Sequence, residues 1–86
     1  MSNENRLNSN GRAMHYLPRC KTLRVHAGRS INDLAKHSET DRGTIAKIER
    51  NHPVTEPIAH RIFGVLNTWH EGKLKPHMEI TTSIRT

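Results

Sequence analysis

The spacing of apolar residues between Ile31 and Arg50 constrains the fold of this chain more than any other feature of its sequence. The run INDLAKHSETDRGTIAKIER begins with Ile31, Leu34 and Ala35 on one side of a helix of about seven residues. Ser30 precedes that helix as a good N-cap residue, because its hydroxyl can accept a hydrogen bond from an amide of the first turn. The pattern therefore predicts a short amphipathic helix that starts just after Ser30.

A second short helix is expected after a turn of four residues. The segment Ser38-Glu39-Thr40 breaks the apolar pattern, and the carboxylate of Asp41 can cap the helix that follows. Ile45 and Ile48 then form a buried stripe, which leaves the opposite side of this helix free. In a small basic protein, two short helices joined by such a turn can insert the second one into the major groove of DNA.

Two further helices are expected around this pair. The first runs from Pro18, which suits an opening helical turn, to Gly28, which is a natural C-terminal stop. The other begins after Thr55 and ends at Glu71-Gly72. Its apolar face recurs at helical spacing and consists of Ile58, Ile62, Val65, Leu66 and Trp69.

The chain divides into three segments on these grounds. Residues 1–16 are rich in Asn and Ser and are expected to form a flexible N-terminal arm. Residues 17–71 form one small helical domain, and residues 72–86 form a C-terminal extension. The predicted fold class is all-α, with four to five short helices and a C-terminal β-strand.

The C-terminal run MEITTSIRT alternates apolar or β-branched residues with polar ones. A period of two predicts a strand of about seven residues. We expect no partner strand within the chain, and an unpaired strand is unstable in water. Pairing with the same strand of a second copy would give a homodimer, whereas the alternative is a disordered tail with chance alternation. The residues expected to mediate dimerisation are Met78, Ile80, Thr82 and Ile84.

Charge indicates a polyanionic partner. The chain has 14 Lys and Arg against 8 Asp and Glu, for a net charge of +6. An excess of this size favours nucleic acid before a membrane surface, although a basic protein without such a partner is the simpler alternative. The excess is concentrated between residues 19 and 29, which contain no acid and carry Arg19, Lys21, Arg24 and Arg29.

Other classes of protein are not indicated. The single cysteine, Cys20, excludes an internal disulfide and is expected in the core. The seven histidines are widely spaced, so we expect no metal site, no cofactor and no enzymatic activity. The chain lacks an apolar run of the roughly 20 residues that span a bilayer, and its first residues lack the apolar stretch of a signal peptide. A cytoplasmic protein without membrane contact is expected.

Small, apolar and charged residues recur together in one pattern over residues 19–67. They are Leu23-Arg24, Gly28, Ser30, Leu34-Ala35, Thr44-Ile45 and Ile48-Glu49-Arg50. The pattern resembles the helix-turn-helix domain of the XRE, or Cro/CI-like, family. The resemblance implies a lambda-repressor-like fold, and it also implies a structural salt bridge between Arg24 and Glu49.

Two residues depart from the family pattern. Glu39 stands where a glycine is usual in the turn, so its backbone must adopt a less comfortable conformation or a variant turn. Ile31 stands where a glutamine is common, so a usual phosphate contact is missing. Arg29, at a position that is usually apolar, could compensate as a phosphate ligand.

The exposed N-terminal part of the second helix of the pair is where bases would be contacted. Arg42 can donate two hydrogen bonds to a guanine edge. The residues expected to contact bases are Arg42, Gly43, Thr44 and Lys47, and those expected to contact phosphates are Arg19, Lys21, Arg24, Arg29, Ser30, Arg50 and His52. The alternative for these charged residues is a solvated surface.

The sequence therefore predicts a transcriptional regulator that binds double-stranded DNA. The favoured form is a homodimeric repressor that occupies an inverted repeat and blocks polymerase, regulated by its own concentration or by a protein partner. The resemblance suggests a mobile element as its source. Two alternatives stay open: an antitoxin that neutralises a toxin and autoregulates its operon, and an excision or directionality factor that bends DNA.

Overall fold

Five helices and two short strands make up the described part of the chain, so the prediction of a mostly helical domain is confirmed. The computed structural model describes residues 13–84, and the expectation for residues 1–12 lies outside them. The elements in chain order are β1 (Ala13–Tyr16), α1 (Cys20–His26), α2 (Ile31–Ser38), α3 (Arg42–Glu49), α4 (Glu56–Trp69), α5 (Pro76–Glu79) and β2 (Thr81–Ile84).

The boundaries of α2 follow from its local sequence. The amide of Asp33 donates to the hydroxyl of Ser30 at 3.0 Å, and the amide of Ser30 donates to the Asp33 carboxylate at 3.1 Å. The two residues therefore form a reciprocal capping box. These hydrogen bonds from Ser30 lower the pKa of Asp33, with the charges of Arg29 and His37 adding to the effect.

The core lies where α1 and α2 meet α3 and α4. Helix α2 packs on both α3 and α4, and α1 touches the same two helices. Ile45 and Ile48 of α3 are fully buried, as their spacing predicted, and Ala35 is half-buried beside them. The buried hydrophobic residues are Leu17, Cys20, Leu23, Leu34, Ile45, Ile48, Ala59, Ile62, Phe63 and Leu66.

Residues 13–16, which were expected to belong to the flexible N-terminal arm, form a strand. The expected boundary between arm and domain after residue 16 is therefore corrected. Strand β1 pairs antiparallel with β2, and the register runs from Ala13 opposite Ile84 to Tyr16 opposite Thr81. On its other side, the amide and carbonyl of His15 exchange hydrogen bonds with Val54 at 3.0 and 2.8 Å. Backbone pairing on two sides therefore holds residues 13–16 in place.

The strand in the C-terminal extension is shorter than the alternating sequence predicted. Pro76 opens a helical turn, α5, which ends at Glu79, and the strand begins only at Thr81. Proline fixes the backbone angle that a first helical turn needs, so the helix includes Met78 and Glu79, the first two residues of the alternating run. The prediction of a single strand of about seven residues is wrong.

The predicted dimerisation residues consequently do not form one face of a strand. Met78 belongs to α5 and is 69% exposed, whereas Ile80 follows that helix and packs against the core. Thr82 lies in β2 opposite His15, and Ile84 pairs with Ala13. The expectation that this strand lacks a partner within the chain is also wrong, because β1 supplies one.

Replacing Ile45 with aspartate is expected to unfold the domain. Ile45 is completely buried, and an unpaired carboxylate in that position costs several kcal/mol, a large part of the roughly 5–15 kcal/mol that stabilises a small domain. Circular dichroism during thermal unfolding measures the effect. Lys47→Asp, on the exposed side of the same helix, serves as the control and should stay folded; a cooperatively folded Ile45→Asp variant would contradict the core described above.

Candidate nucleic-acid interface

Helix α3 presents one buried and one positively charged side. Ile45 and Ile48 face the core, whereas Arg42, Gly43 and Lys47 are exposed. At about 100° per residue, these three residues occupy an arc of about 140°, and Arg50, the exposed C-cap residue, falls within it. The structure thus brings three of the four predicted base-contacting residues onto the open side of α3, together with a predicted phosphate ligand.

Thr44 is placed differently from the other three. It is half-buried about 60° outside that arc, on the side of Ile48, and its hydroxyl donates to the Asp41 carboxylate at 2.8 Å. The amide of Thr44 donates to the same oxygen at 2.9 Å, which makes Asp41 the N-cap of α3 as predicted. Both hydrogen bonds lower the pKa of Asp41. The hydroxyl proton of Thr44 is therefore engaged within the protein, which leaves its methyl group and oxygen lone pairs for other contacts.

The turn between α2 and α3 confirms the expected backbone distortion at Glu39. This residue adopts a left-handed conformation with φ 55° and ψ 39°. Its amide donates to the carbonyl of Lys36 at 3.3 Å, and the amide of Thr40 donates to the carbonyl of Ala35 at 3.0 Å. These two hydrogen bonds are those of a Schellman motif, whose left-handed residue is usually glycine. The turn keeps this geometry although its left-handed residue carries a side chain.

Hydrogen bonds from both sides hold the same turn. The hydroxyl of Ser38 donates to the carbonyl of Leu34 at 2.6 Å, and the hydroxyl of Thr40 donates to the carbonyl of Ser38 at 3.2 Å. From α4, Nε of Arg61 donates to the carbonyl of Ser38 at 3.1 Å. The carbonyl of Ser38, at the end of α2, therefore has two donors, and the angle between α2 and α3 is fixed from the α4 side.

The salt bridge between Arg24 and Glu49 is present and buried. Nε of Arg24 lies 2.7 Å from Oε2 of Glu49, Nη2 lies 3.1 Å from Oε1, and the two side chains are 10% and 7% exposed. Nη1 donates to the carbonyl of Arg29 at 2.8 Å. The hydrogen bonds to Glu49, and then the charge of that carboxylate, raise the pKa of Arg24. Because its guanidinium is directed inward, the prediction that Arg24 contacts phosphate is wrong.

The predicted core position of Cys20 is confirmed beside that salt bridge. Its thiol is buried, and its Sγ lies 4.0 Å from Oε2 of Glu49. Burial first, and then the charge of Glu49, raise the pKa of Cys20 to about 12. The thiol therefore stays protonated at neutral pH and is a poor nucleophile.

Arg19 is engaged by Glu79, a residue 60 positions later for which the sequence contains no pairing signal. Its Nε lies 3.0 Å from Oε1 of Glu79, and its Nη2 binds the other oxygen of that carboxylate. Glu79 is buried, whereas the Arg19 side chain is 56% exposed. The hydrogen bond to Glu79 raises the pKa of Arg19. Arg19 therefore ties the start of α1 to α5, and a phosphate would have to share it with that carboxylate.

The other predicted phosphate ligands lie on the surface. Lys21 is exposed on α1, and Ser30 is exposed but uses its hydroxyl to cap α2. Arg50 and His52 are exposed just beyond α3. Ile31, in place of the family's glutamine, is half-buried and packs against the core. This position thus contributes to stability, and it does not offer a polar group to a phosphate.

Arg29 is exposed and lies over an aromatic ring in a cation–π contact. Its Cζ lies 4.9 Å from the centroid of the Trp69 ring. His37 meets the same ring edge-on, with centroids 5.8 Å apart and an interplanar angle of 81°. The sequence placed Trp69 on the apolar face of α4 but contained no signal that Arg29, 40 residues earlier, would lie over it.

Histidines gather at one other place on the surface. His15, His60 and His77 line a depression of about 220 Å³ together with Glu56. Between residues 13 and 84, however, no group of three or more His, Cys, Asp or Glu side chains is arranged to hold a metal ion. Within the same range, no helix is long and apolar enough to cross a membrane.

No protein-family model, curated protein or solved structure matches this chain.

Replacing Glu39 with glycine is expected to stabilise the domain by about 0.5–1 kcal/mol. A left-handed residue with a Cβ costs roughly 1–2 kcal/mol, and the extra backbone entropy of an unfolded glycine offsets about half of that gain. Urea unfolding measures the difference. Glu39→Ala retains the Cβ and is the matched control, for which no comparable gain is expected; a glycine variant less stable than the alanine variant would contradict the strain assigned to this turn.

Proposed function

We propose that this protein is a sequence-specific DNA-binding regulator of the helix-turn-helix type, similar to the XRE family, with α3 as its recognition helix. One observation carries the proposal: the exposed side of α3 bears Arg42, Gly43, Lys47 and Arg50, while its one acid, Glu49, is turned inward against Arg24. A helix with a cationic, acid-free outer face suits the phosphate-lined major groove.

The α2–turn–α3 unit is rigid enough for base readout. Capping residues fix the start of each helix, and the hydrogen-bonded turn around Glu39 fixes the angle between them. Contacts to bases discriminate only when side chains are held in a defined register with the duplex. Arg42, in the first turn of α3, is the residue we assign to a guanine edge. Gly43 beside it has no side chain to hold the backbone away from a base. A Cβ there would make only an ordinary contact with the Asp41 carboxylate, at 3.6 Å, so packing does not explain the glycine.

The proposed regulator acts as a homodimeric repressor on an inverted repeat. The exposed edge of β2 supports a dimer although β2 already has β1 as a partner. His15 directs its amide and carbonyl to Val54. Since opposed residues of an antiparallel pair alternate between exchanging and not exchanging hydrogen bonds, the amide and carbonyl of Thr82, opposite His15, point away from β1. Antiparallel pairing of two β2 edges would join two copies.

Replacing Arg42 with alanine is expected to weaken binding to a selected DNA site by roughly 1–3 kcal/mol and to relax base preference at one position of each half-site. Selection of bound DNA from a random pool provides the site, and titration of wild-type and variant proteins against single-base variants measures the preference. Lys75→Ala removes an equal charge outside α3 and is the control. An Arg42→Ala variant with unchanged affinity and preference would remove Arg42 from base readout, and a wild-type protein that selects no sequence would refute the proposed function.

Proline at position 82 is expected to abolish the dimer without unfolding the domain. Proline removes the outward amide of Thr82, which β2 does not use for pairing with β1, and so blocks only the second edge. Sedimentation velocity measures the mass. Thr82→Val keeps the amide but loses the hydroxyl that lies 3.2 Å from Nδ1 of His15, so it should remain dimeric. A dimer that persists in a folded Thr82→Pro variant would place the interface elsewhere on the molecule.

A further inference from the structure

The stack of Arg29 on Trp69 holds an exposed cation in a defined place. Trp69 is the last residue of α4, is half-buried and packs against the core. The edge-on contact with His37 holds its ring from another side. Arg29 covers the ring at 4.9 Å. The tryptophan is thus an anchored platform that restrains the exposed arginine side chain.

The backbone of Arg29 is restrained as well. Its carbonyl accepts from Nη1 of the buried Arg24 at 2.8 Å, and its amide donates to the carbonyl of Arg24 at 3.1 Å. An exposed arginine ordinarily loses considerable rotamer freedom when it binds a ligand. Here the backbone and the guanidinium of Arg29 are both held in place before a ligand binds. Binding through this side chain therefore costs less entropy than binding through an unrestrained one.

Stacking leaves the hydrogen-bonding capacity of Arg29 available. A guanidinium stacks through its face, whereas its five N–H donors lie around its rim. Among nearby acids, Asp33 is engaged in the capping box with Ser30. Arg29 lies directly before that cap, at the start of α2. N–H groups of the guanidinium that do not point at the indole can therefore bind a phosphate while the group stays over the ring.

We propose that Trp69 is a positioning residue that holds the Arg29 guanidinium for a contact with a DNA backbone phosphate. This inference rests on the proposed DNA-binding function and adds to it a residue that touches no DNA itself. It assigns Trp69 a role beyond core packing, and it names Arg29 as the phosphate ligand that Trp69 organises.

A double-mutant cycle tests the coupling between the two residues. Binding to a short duplex of mixed sequence is measured over a series of salt concentrations for wild type, Trp69→Leu, Arg29→Ala and the double variant. Arg29→Ala should weaken binding several-fold and reduce the slope of log K against log salt by about 0.9, the value of one phosphate contact. Trp69→Leu should weaken binding several-fold in the wild-type background but leave it unchanged in the Arg29→Ala background. Trp69→Tyr, which retains an aromatic ring, should bind the duplex much more tightly than Trp69→Leu, with most of the wild-type affinity.

A purely structural role for Trp69 makes a different prediction. Loss of packing would weaken binding equally in both backgrounds, and that outcome overturns the inference while the DNA-binding function stands. A wild-type protein without salt-dependent binding to the duplex overturns both. Fluorescence covers the case in which Trp69→Leu fails to fold, since Trp69 is the one tryptophan of the chain. Its emission should change on saturation with duplex in wild type and change much less in Arg29→Ala; equal changes again overturn the inference.

Discussion

The buried ion pair between Arg24 and Glu49 is the contact on which the arrangement of the helices depends. Arg24 extends from α1 to the last residue of α3 and, through a third hydrogen bond, to the carbonyl of Arg29 ahead of α2. A buried charge is tolerated only with a well-placed partner, so these elements have little freedom to shift relative to one another. The same pair turns the one acid of α3 inward, which leaves the outer face of that helix positive.

The helices were predictable because their signals are local. The capping box of Ser30 and Asp33, the cap at Asp41 and the buried stripe of Ile45 and Ile48 each depend on residues within one or two turns. The sheet was not predictable in the same way. Strand β1 has only four residues, and its partner lies at the other end of the described chain, so no nearby residue reveals the pairing. The alternation that begins at Met78 also does not indicate that a helix starts at Pro76.

The candidate site, too, could be predicted from the sequence only where its features depend on nearby residues. The side of α3 that faces outward follows from helical spacing alone. Whether a particular arginine is available does not, because it depends on acids far away in the sequence. Arg24 is engaged by Glu49 and Arg19 by Glu79, 25 and 60 residues later. Three arginines between residues 19 and 29 therefore look alike as a charge cluster. Only Arg29 of the three lies over an aromatic ring at the surface, and it forms no salt bridge with an acid between residues 13 and 84.

The pairing of β1 with β2 also bears on the order in which the chain can fold. Ala13 and Ile84 are about 70 residues apart, whereas the four helices that pack together in the core all lie between Cys20 and Trp69. Closing so long a loop is slow compared with docking adjacent helices. The helical core should therefore assemble first, and β1 and β2 should pair last, on a domain that is already formed. During synthesis, β1 would leave the ribosome about 70 residues before the strand with which it pairs.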